Sequence, residues 1–105
     1  MTRFGLEQNI LDKIIAVLRD HPNIERAVIY GSRALGTFKP QSDIDLAVFA
    51  SRMDVGEFAR LRFEINELPI VFKMDVVHVE GLENESLRAK IVAQGFEIFP
   101  TLKAD

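Results

Sequence analysis

The sequence has 105 residues, 48% of them apolar, so we expect residues 1–105 to form one compact domain. It contains no cysteine, which excludes disulfides, cysteine-ligated zinc and thiol catalysis. The net charge of −3 disfavours stable nucleic-acid binding, because such binding depends on clustered Lys and Arg side chains.

The first part of the chain predicts a helix, a strand and a loop. Apolar residues at helical spacing predict an amphipathic helix over 6–20. The apolar run 24–30 predicts a short, largely buried strand. Glycine, proline and small polar residues then predict a turn and loop over 31–42, which can include a short helix from Ser32.

The rest of the chain predicts three further strands and two helices. Strict alternation predicts a strand over 43–49, in which odd positions share one face and even positions share the other. The remaining predicted elements are a helix over 55–68, a strand over 70–79, a helix over 84–94 and an edge strand over 96–100. Asn84 is a candidate N-cap for the last helix. This order predicts an α/β (α+β) fold, a small sheet with helices mainly on one face.

The sequence shows no sign of a membrane segment. No stretch approaches the roughly 18 apolar residues of a spanning helix. The first residues also lack the pattern of a signal peptide. We therefore expect a cytoplasmic protein with no membrane partner.

Two aspartates at the start of the strand over 43–49 are the strongest chemical feature. Asp43 and Asp45 share one face, so their carboxylates repel each other unless they are exposed, partly protonated or bridged by a cation. The simpler interpretation is that Asp43 ends the loop and Asp45 is a solvated surface residue. A divalent metal would instead give the pair a function.

A third acid lies within the apolar strand over 70–79. Asp75 is flanked by Met74 and Val76, and an acid in such a run is rarely buried without a partner. Lys73, on the same face, is one possible salt-bridge partner. Alternatively, Asp43, Asp45 and Asp75 together hold one or two Mg²⁺ ions through carboxylate oxygens. Two such ions activate an attacking hydroxyl and neutralise a leaving phosphate, which is the chemistry of nucleotidyl transfer.

The turn Gly31-Ser32 is suited to phosphate. Glycine after a strand allows close approach of the backbone, and the serine hydroxyl and helix-opening N–H groups can donate to phosphate oxygens. The segment also has the Gly-x₄-Gly start of a P-loop, but Thr37 and Phe38 replace the required Lys and Ser or Thr. A P-loop is therefore rejected.

The other polar and aromatic candidates favour structural roles. His21 and His78 belong to no ligand-spaced cluster, so we expect satisfied structural or surface histidines. The polar side chains of the helix over 55–68 predict a solvated face: Arg60, Arg62 and Glu64. Five aromatic residues are expected in the core: Phe58, Phe63, Phe72, Phe96 and Phe99. For the tail, Phe96, Ile98 and Phe99 could instead form a patch for a partner.

Taken in order, Gly31-Ser32, Ser42-Asp43-Ile44-Asp45-Leu46 and Asp75 resemble the signature of the nucleotidyltransferase superfamily that includes DNA polymerase β and kanamycin nucleotidyltransferase. Over its whole length, the sequence is similar to the minimal nucleotidyltransferases of bacteria and archaea. The resemblance implies a mixed sheet with helices on one face.

The same resemblance implies roles for individual residues. Asp43 and Asp45 match the metal-binding pair, and Asp75 matches the third carboxylate, which ligates metal and can act as the base. Gly31 and Ser32 match the phosphate-binding turn. Arg33 is implied as a weaker phosphate contact, and Lys39 as a replacement for another. Two Mg²⁺ ions are implied in the active complex.

The resemblance also implies a partner. Minimal nucleotidyltransferases are commonly paired with a small helical protein of the HEPN class, and can act as its antitoxin by moving AMP from ATP to a tyrosine of that toxin. We therefore expect ATP and a HEPN-type protein as partners, with a homo-oligomer also compatible. The competing hypothesis is a non-catalytic antitoxin or regulatory subunit that acts by steric complex formation. A weaker alternative is transfer to a small molecule such as an aminoglycoside.

Overall fold

Helices and strands alternate along most of the chain in the computed structural model, which describes residues 2–102. The helices are α1 (Gln8–Arg19), α2 (Ser32–Leu35), α3 (Val55–Asn66) and α4 (Glu85–Gln94). The strands are β1 (Thr2–Arg3), β2 (Leu6–Glu7), β3 (Arg26–Tyr30), β4 (Ile44–Phe49), β5 (Met74–His78) and β6 (Phe96–Phe99). A single 3₁₀ turn, Val79–Gly81, follows β5.

The main sheet is mixed, as the resemblance predicted. Its strand order is β5-β4-β3-β6. β3 is antiparallel to both β4 and β6, whereas β4 and β5 are parallel. Parallel neighbours need a crossover connection, and α3 provides it between β4 and β5. At the other side of the sheet, β6 lies at the edge beside β3, so the predicted edge strand at the C-terminal end is confirmed.

Helices cover the two faces of this sheet unequally. The even positions of β4, which are Ile44, Leu46 and Val48, join the larger core with residues of α1 and α3. The opposite face carries a smaller cluster in which Ile91 of α4 packs with Val28 and Ala47. The prediction of helices mainly on one face is confirmed, and the alternation in β4 separates the two faces as expected.

Several predicted boundaries shift for local reasons. The helix predicted from residue 6 begins at Gln8, because Leu6–Glu7 forms β2 and pairs with β1. The strand predicted from residue 70 begins only at Met74. In the segment before it, Val71 is 91% exposed, whereas Ile70 and Phe72 are half-buried against the larger core. Asn84 is confirmed as an N-cap, since its side chain accepts a hydrogen bond from the Leu87 N–H at 3.1 Å.

Most side chains assigned structural roles keep them, with two corrections. His21 is buried and its Nε2 lies 2.8 Å from Glu64 Oε1, so Glu64 is not a purely solvated residue as predicted. His78 Nε2 donates to the Ala50 carbonyl at 2.8 Å. Phe63 is 65% exposed, so its predicted place in the core is wrong, because it projects from the outer side of α3.

The tail packs as part of the fold. Ile98 of β6 is 1% exposed and belongs to the larger core, while Phe96 and Phe99 are half-buried. The core interpretation therefore holds for Ile98. In the part of the chain that the structure describes, no helix has the length and apolar character needed to cross a membrane.

Candidate active site

Three polar side chains form a row across the sheet on the face covered by α4. In the register of the antiparallel pair β3 and β4, Tyr30 lies opposite Asp45. In the parallel pair β4 and β5, Asp45 lies opposite Asp75. Neighbouring strands are about 4.8 Å apart, so these side chains stand side by side. The structure thus brings together two of the predicted carboxylates in adjacent strands.

The electrostatics of the row agree with this geometry. Burial raises the pKa of Asp45, and the negative charges of Asp75 and Asp43 raise it further. Lys90 of α4 opposes this rise. Burial, followed by the charges of Asp45 and Asp75, raises the pKa of Tyr30 to about 12. The charges of Asp43 and Asp75 therefore both act on Asp45, which is at the centre of the group.

Gly31 holds the backbone tightly against Asp45. Its φ of +75° and ψ of −152° belong to a region that is essentially restricted to glycine. A Cβ atom at this position would lie 2.5 Å from Asp45 Oδ2. The residue following β3 must therefore be glycine, both for its conformation and for the close approach of the carboxylate.

Ser32 opens α2 directly behind this turn. It is half-buried, and its carbonyl accepts a hydrogen bond from the Thr37 N–H at 3.0 Å. The first N–H groups of a helix have no partner within the helix. The predicted short helix from Ser32 is confirmed, and the turn that precedes it borders the carboxylate row.

Arg33 has a different place from the one expected for a phosphate contact. It is 2% exposed, and its guanidinium donates to three backbone carbonyls: Phe4 (2.9 Å), Pro40 (3.4 Å) and Ser42 (2.8 Å). Its Cζ atom also lies 5.0 and 4.7 Å from the ring centroids of Phe38 and Phe72. The predicted phosphate role is corrected, because buried donors engaged in this way fix the loop instead.

The loop that Arg33 fixes leads into Asp43. Asp43 is exposed and borders a cavity of about 420 Å³ that is also lined by Gln41, Phe72 and Lys73. Asp75 is likewise exposed. Within residues 2–102, Lys73 forms no salt bridge with Asp75, so the simple salt-bridge explanation of this acid is wrong. The side chain of Lys39 is exposed, and its N–H donates to Ser42 Oγ at 2.8 Å.

Comparison with known proteins now places this arrangement in a family. The model of the family described as polymerase beta, nucleotidyltransferase, matches residues 12–103. The chain belongs to this family. Among curated proteins, none matches the sequence at a significant level.

Solved structures give the type of nucleotidyltransferase. A crystal structure of a toxin–antitoxin with AMP-PNP is similar at 29% identity and a TM-score of 0.71, over 87% of this chain and 73% of that chain. A tri-AMPylated HEPN toxin in complex with an MNT antitoxin, from Shewanella oneidensis, is similar at 26% identity and a TM-score of 0.68, over 91% and 74%. A crystal structure of the toxin–antitoxin MntA–HepT is similar at 26% identity and a TM-score of 0.67, over 90% of this chain and 74% of that chain. The chain is thus a minimal nucleotidyltransferase, which confirms the resemblance.

The carboxylates of this nucleotidyltransferase fit a divalent cation by their chemistry. Among residues 2–102, no three Asp, Glu, His or Cys side chains are arranged as a ready-made metal-binding group. The fit rests instead on Asp45 and Asp75, which are in register on adjacent strands, and on Asp43, whose charge acts on Asp45. Oxygen donors of this kind are the ligands that Mg²⁺ takes in proteins.

Sequence reasoning missed two residues of this candidate site. Tyr30 ends the apolar run 24–30, which predicts only a strand, and its place just before Gly31 is the one signal in the sequence that links it to the site. Lys90 acts on Asp45 from α4. Nothing in the pattern of residues 84–94 distinguishes Lys90 from other exposed positions, because the packing of α4 on the sheet determines which residue reaches the site.

Proposed function

We propose that this chain is a Mg²⁺-dependent nucleotidyltransferase that moves AMP from ATP to a hydroxyl group of a partner protein. The observation that carries the proposal is the register of Asp45 with Asp75, beside Gly31, in a chain of the polymerase β family. Two adjacent carboxylates of like charge, one with a raised pKa, are costly to maintain and are useful where a cation is bound.

The residues divide into two groups by role. Asp43, Asp45 and Asp75 hold Mg²⁺, and the Gly31-Ser32 turn binds the triphosphate through its backbone N–H groups and the serine hydroxyl. Bound Mg²⁺ neutralises the charge of the phosphates and of the leaving pyrophosphate. Arg33 fixes the loop between the turn and Asp43, and so sets the distance between the two groups.

The reaction is a displacement at the α-phosphorus of ATP. The oxygen of the acceptor hydroxyl forms a bond to that phosphorus, and the bond from phosphorus to the pyrophosphate oxygen breaks. Asp75, exposed at the edge strand β5, takes the proton of the acceptor hydroxyl. The products are an acceptor carrying AMP, and pyrophosphate.

The acceptor and the nucleotide are proposed from the similar structures. One of them holds AMP-PNP, and another contains a HEPN toxin that carries AMP groups in complex with its antitoxin. By analogy, the partner of this chain is a small helical HEPN-type toxin, and this chain is its antitoxin.

Transfer of label from α-³²P-ATP in a lysate of the native cells, with Mg²⁺, tests the proposal. Wild-type protein is compared with Asp43→Asn/Asp45→Asn, and with Asp12→Asn/Asp20→Asn as a control of equal charge change on exposed acids of α1 and its end. Products are separated by protein gel and thin-layer chromatography. We expect a labelled protein band with the wild type and the control, and none with the site variant.

Each other result has a distinct meaning. Label on a small molecule would replace the protein acceptor with a small-molecule one. If α-labelled ATP gave no labelled protein and another α-labelled nucleoside triphosphate did, that nucleotide would replace ATP as the donor. Equal results for the wild type and the site variant with all four nucleotides would overturn the catalytic proposal and favour a non-catalytic binding module.

A further inference from the structure

Tyr30 combines a position in the carboxylate row with a hydroxyl that has no hydrogen-bond partner among the described residues. It is the last residue of β3, directly opposite Asp45 and next to Gly31. Alternation along β3 places its side chain on the same face as Val28, beneath α4. The ring therefore packs in the smaller core, while the strand end directs the residue towards the site.

The hydroxyl is the feature that packing does not explain. Tyr30 is 5% exposed as a whole residue, and within residues 2–102 its hydroxyl makes no hydrogen bond, yet this oxygen is not among the buried unpaired atoms. A phenyl ring of the same size would fill the space among Val28, Ala47 and Ile91 equally well. The hydroxyl therefore reaches solvent at the edge of the smaller core, where a ligand oxygen can accept its hydrogen bond in place of water.

The surroundings determine what this hydroxyl can do. A phenol, with an ordinary pKa of about 10, is protonated at neutral pH, so the hydroxyl is a donor. A phosphate oxygen beside the Gly31-Ser32 turn would be a strong, charged acceptor. The turn begins one residue after Tyr30, and Gly31 and Tyr30 both meet Asp45, so the two features converge on one place.

We propose that the Tyr30 hydroxyl donates a hydrogen bond to a phosphate oxygen of the nucleotide bound beside Asp45. This inference rests on the proposed function, since it assigns a further binding residue to the same site. It adds a donor from β3 to those of the turn, and places the phosphate over the row of Tyr30, Asp45 and Asp75.

The test compares wild type, Tyr30→Phe and Ser51→Ala. Ser51→Ala removes a hydroxyl after the opposite end of β4, where Ser51 bonds Glu25, and serves as the control. Binding of AMP-PNP with Mg²⁺ is measured by calorimetry, binding of Mn²⁺ alone by electron paramagnetic resonance, and folding by thermal melting. We expect Tyr30→Phe to bind AMP-PNP about tenfold more weakly, which is typical for one hydrogen bond to a charged group. Mn²⁺ binding and melting temperature should stay unchanged.

The alternatives separate cleanly. Equal affinity of wild type and Tyr30→Phe for AMP-PNP would overturn this inference and leave the proposed function intact. A parallel loss of Mn²⁺ binding would mean that the hydroxyl acts on the carboxylates, which overturns the phosphate contact. Failure of the wild type itself to bind AMP-PNP with Mg²⁺ would overturn both proposals.

Discussion

Asp45 is the residue on which the most interactions of the site converge. It meets Tyr30 on one side and Asp75 on the other, and the backbone of Gly31 lies against its carboxylate. Burial and two like charges raise its pKa above the ordinary value of 3.8. The folded protein therefore binds a proton at Asp45 more readily than the unfolded chain does. As a result, the free energy of unfolding falls as pH rises through the range in which Asp45 loses its proton.

Replacing Asp45 with Asn removes this titration and one metal ligand. We expect Asp45→Asn to lose at least about a hundredfold in transfer rate, more than is usual for residues that only support a ligand. The same variant should be at least as stable as the wild type at about pH 7, and this advantage should shrink towards about pH 4, where the wild-type carboxyl regains its proton. Urea unfolding at both pH values checks this. A variant less stable than the wild type at neutral pH would show that the charge of Asp45 stabilises the fold.

Gly31 and Gly36 form a matched pair for testing backbone constraints. Both have positive φ, but a Cβ at Gly31 would meet Asp45 at 2.5 Å, whereas a Cβ at Gly36 meets no atom within 4 Å. We expect Gly31→Ala to lower the free energy of unfolding by roughly 1–3 kcal/mol and to impair transfer. Gly36→Ala should cost about 1 kcal/mol and leave transfer intact. Equal effects of the two substitutions on transfer would argue against close contact at Asp45.

At the scale of elements, Arg33 ties α2 to the loop before β4. Its bidentate contacts and its place between two phenylalanine rings need a planar guanidinium. We expect Arg33→Lys to lower the free energy of unfolding by about 2 kcal/mol, through the lost charged hydrogen bonds. Arg19→Lys, at the exposed end of α1, should change it by less than about 0.5 kcal/mol. Chemical denaturation measures both, and an Arg33→Lys variant as stable as Arg19→Lys would refute this role.

The position of α4 brings a positive charge to the site. Ile91 anchors α4 on the sheet, and the neighbouring Lys90 opposes the rise in the pKa of Asp45. We expect Lys90→Met to raise the pKa of Asp45 further, as followed by the carboxyl carbon signal of Asp45 in an NMR titration. Lys13→Met, on α1 beneath the opposite face, should leave that titration unchanged. An Asp45 curve that is the same in both variants would place Lys90 outside the site.

Local patterns predicted those elements whose side chains have a clear period. Alternation in β4 predicted that Asp45 and Leu46 lie on opposite faces of the sheet, because successive side chains of a strand point to opposite faces. Leu46 accordingly lies in the larger core. The two-residue strands β1 and β2 are too short to carry any pattern. The resemblance implied a phosphate contact for Arg33, whereas its burial arises from contacts with Phe4 and Phe72, which are distant in sequence.

At the scale of the whole molecule, strand order and register bring the site together. The sequence showed Asp45 and Asp75 on two strands, but their pairing depends on the crossover through α3. The pairing of Tyr30 with Asp45 depends in turn on the long loop between β3 and β4. Neither register follows from local propensity, because it is set by the packing of both faces.

The C-terminal strand stabilises this arrangement, since β6 pairs with β3, the strand that ends at Tyr30. Ile98 is 1% exposed, and we expect Ile98→Ala to lower the free energy of unfolding by about 3 kcal/mol. Val92→Ala, at a position that is 70% exposed, should change it by less than about 0.5 kcal/mol. Urea titrations of both variants give the comparison. A small effect of Ile98→Ala would indicate that β6 is not needed for the core.

The most direct test of the central claim is to compare ATP labelled at the α-phosphate with ATP labelled at the γ-phosphate, using wild-type protein and Asp45→Asn in the presence of Mg²⁺ and the lysate acceptor. Nucleotidyl transfer predicts label on the acceptor from α-labelled ATP only, release of the γ label as pyrophosphate, and loss of both signals in Asp45→Asn. Label on the acceptor from γ-labelled ATP, or α-label transfer that survives in Asp45→Asn, would contradict the account.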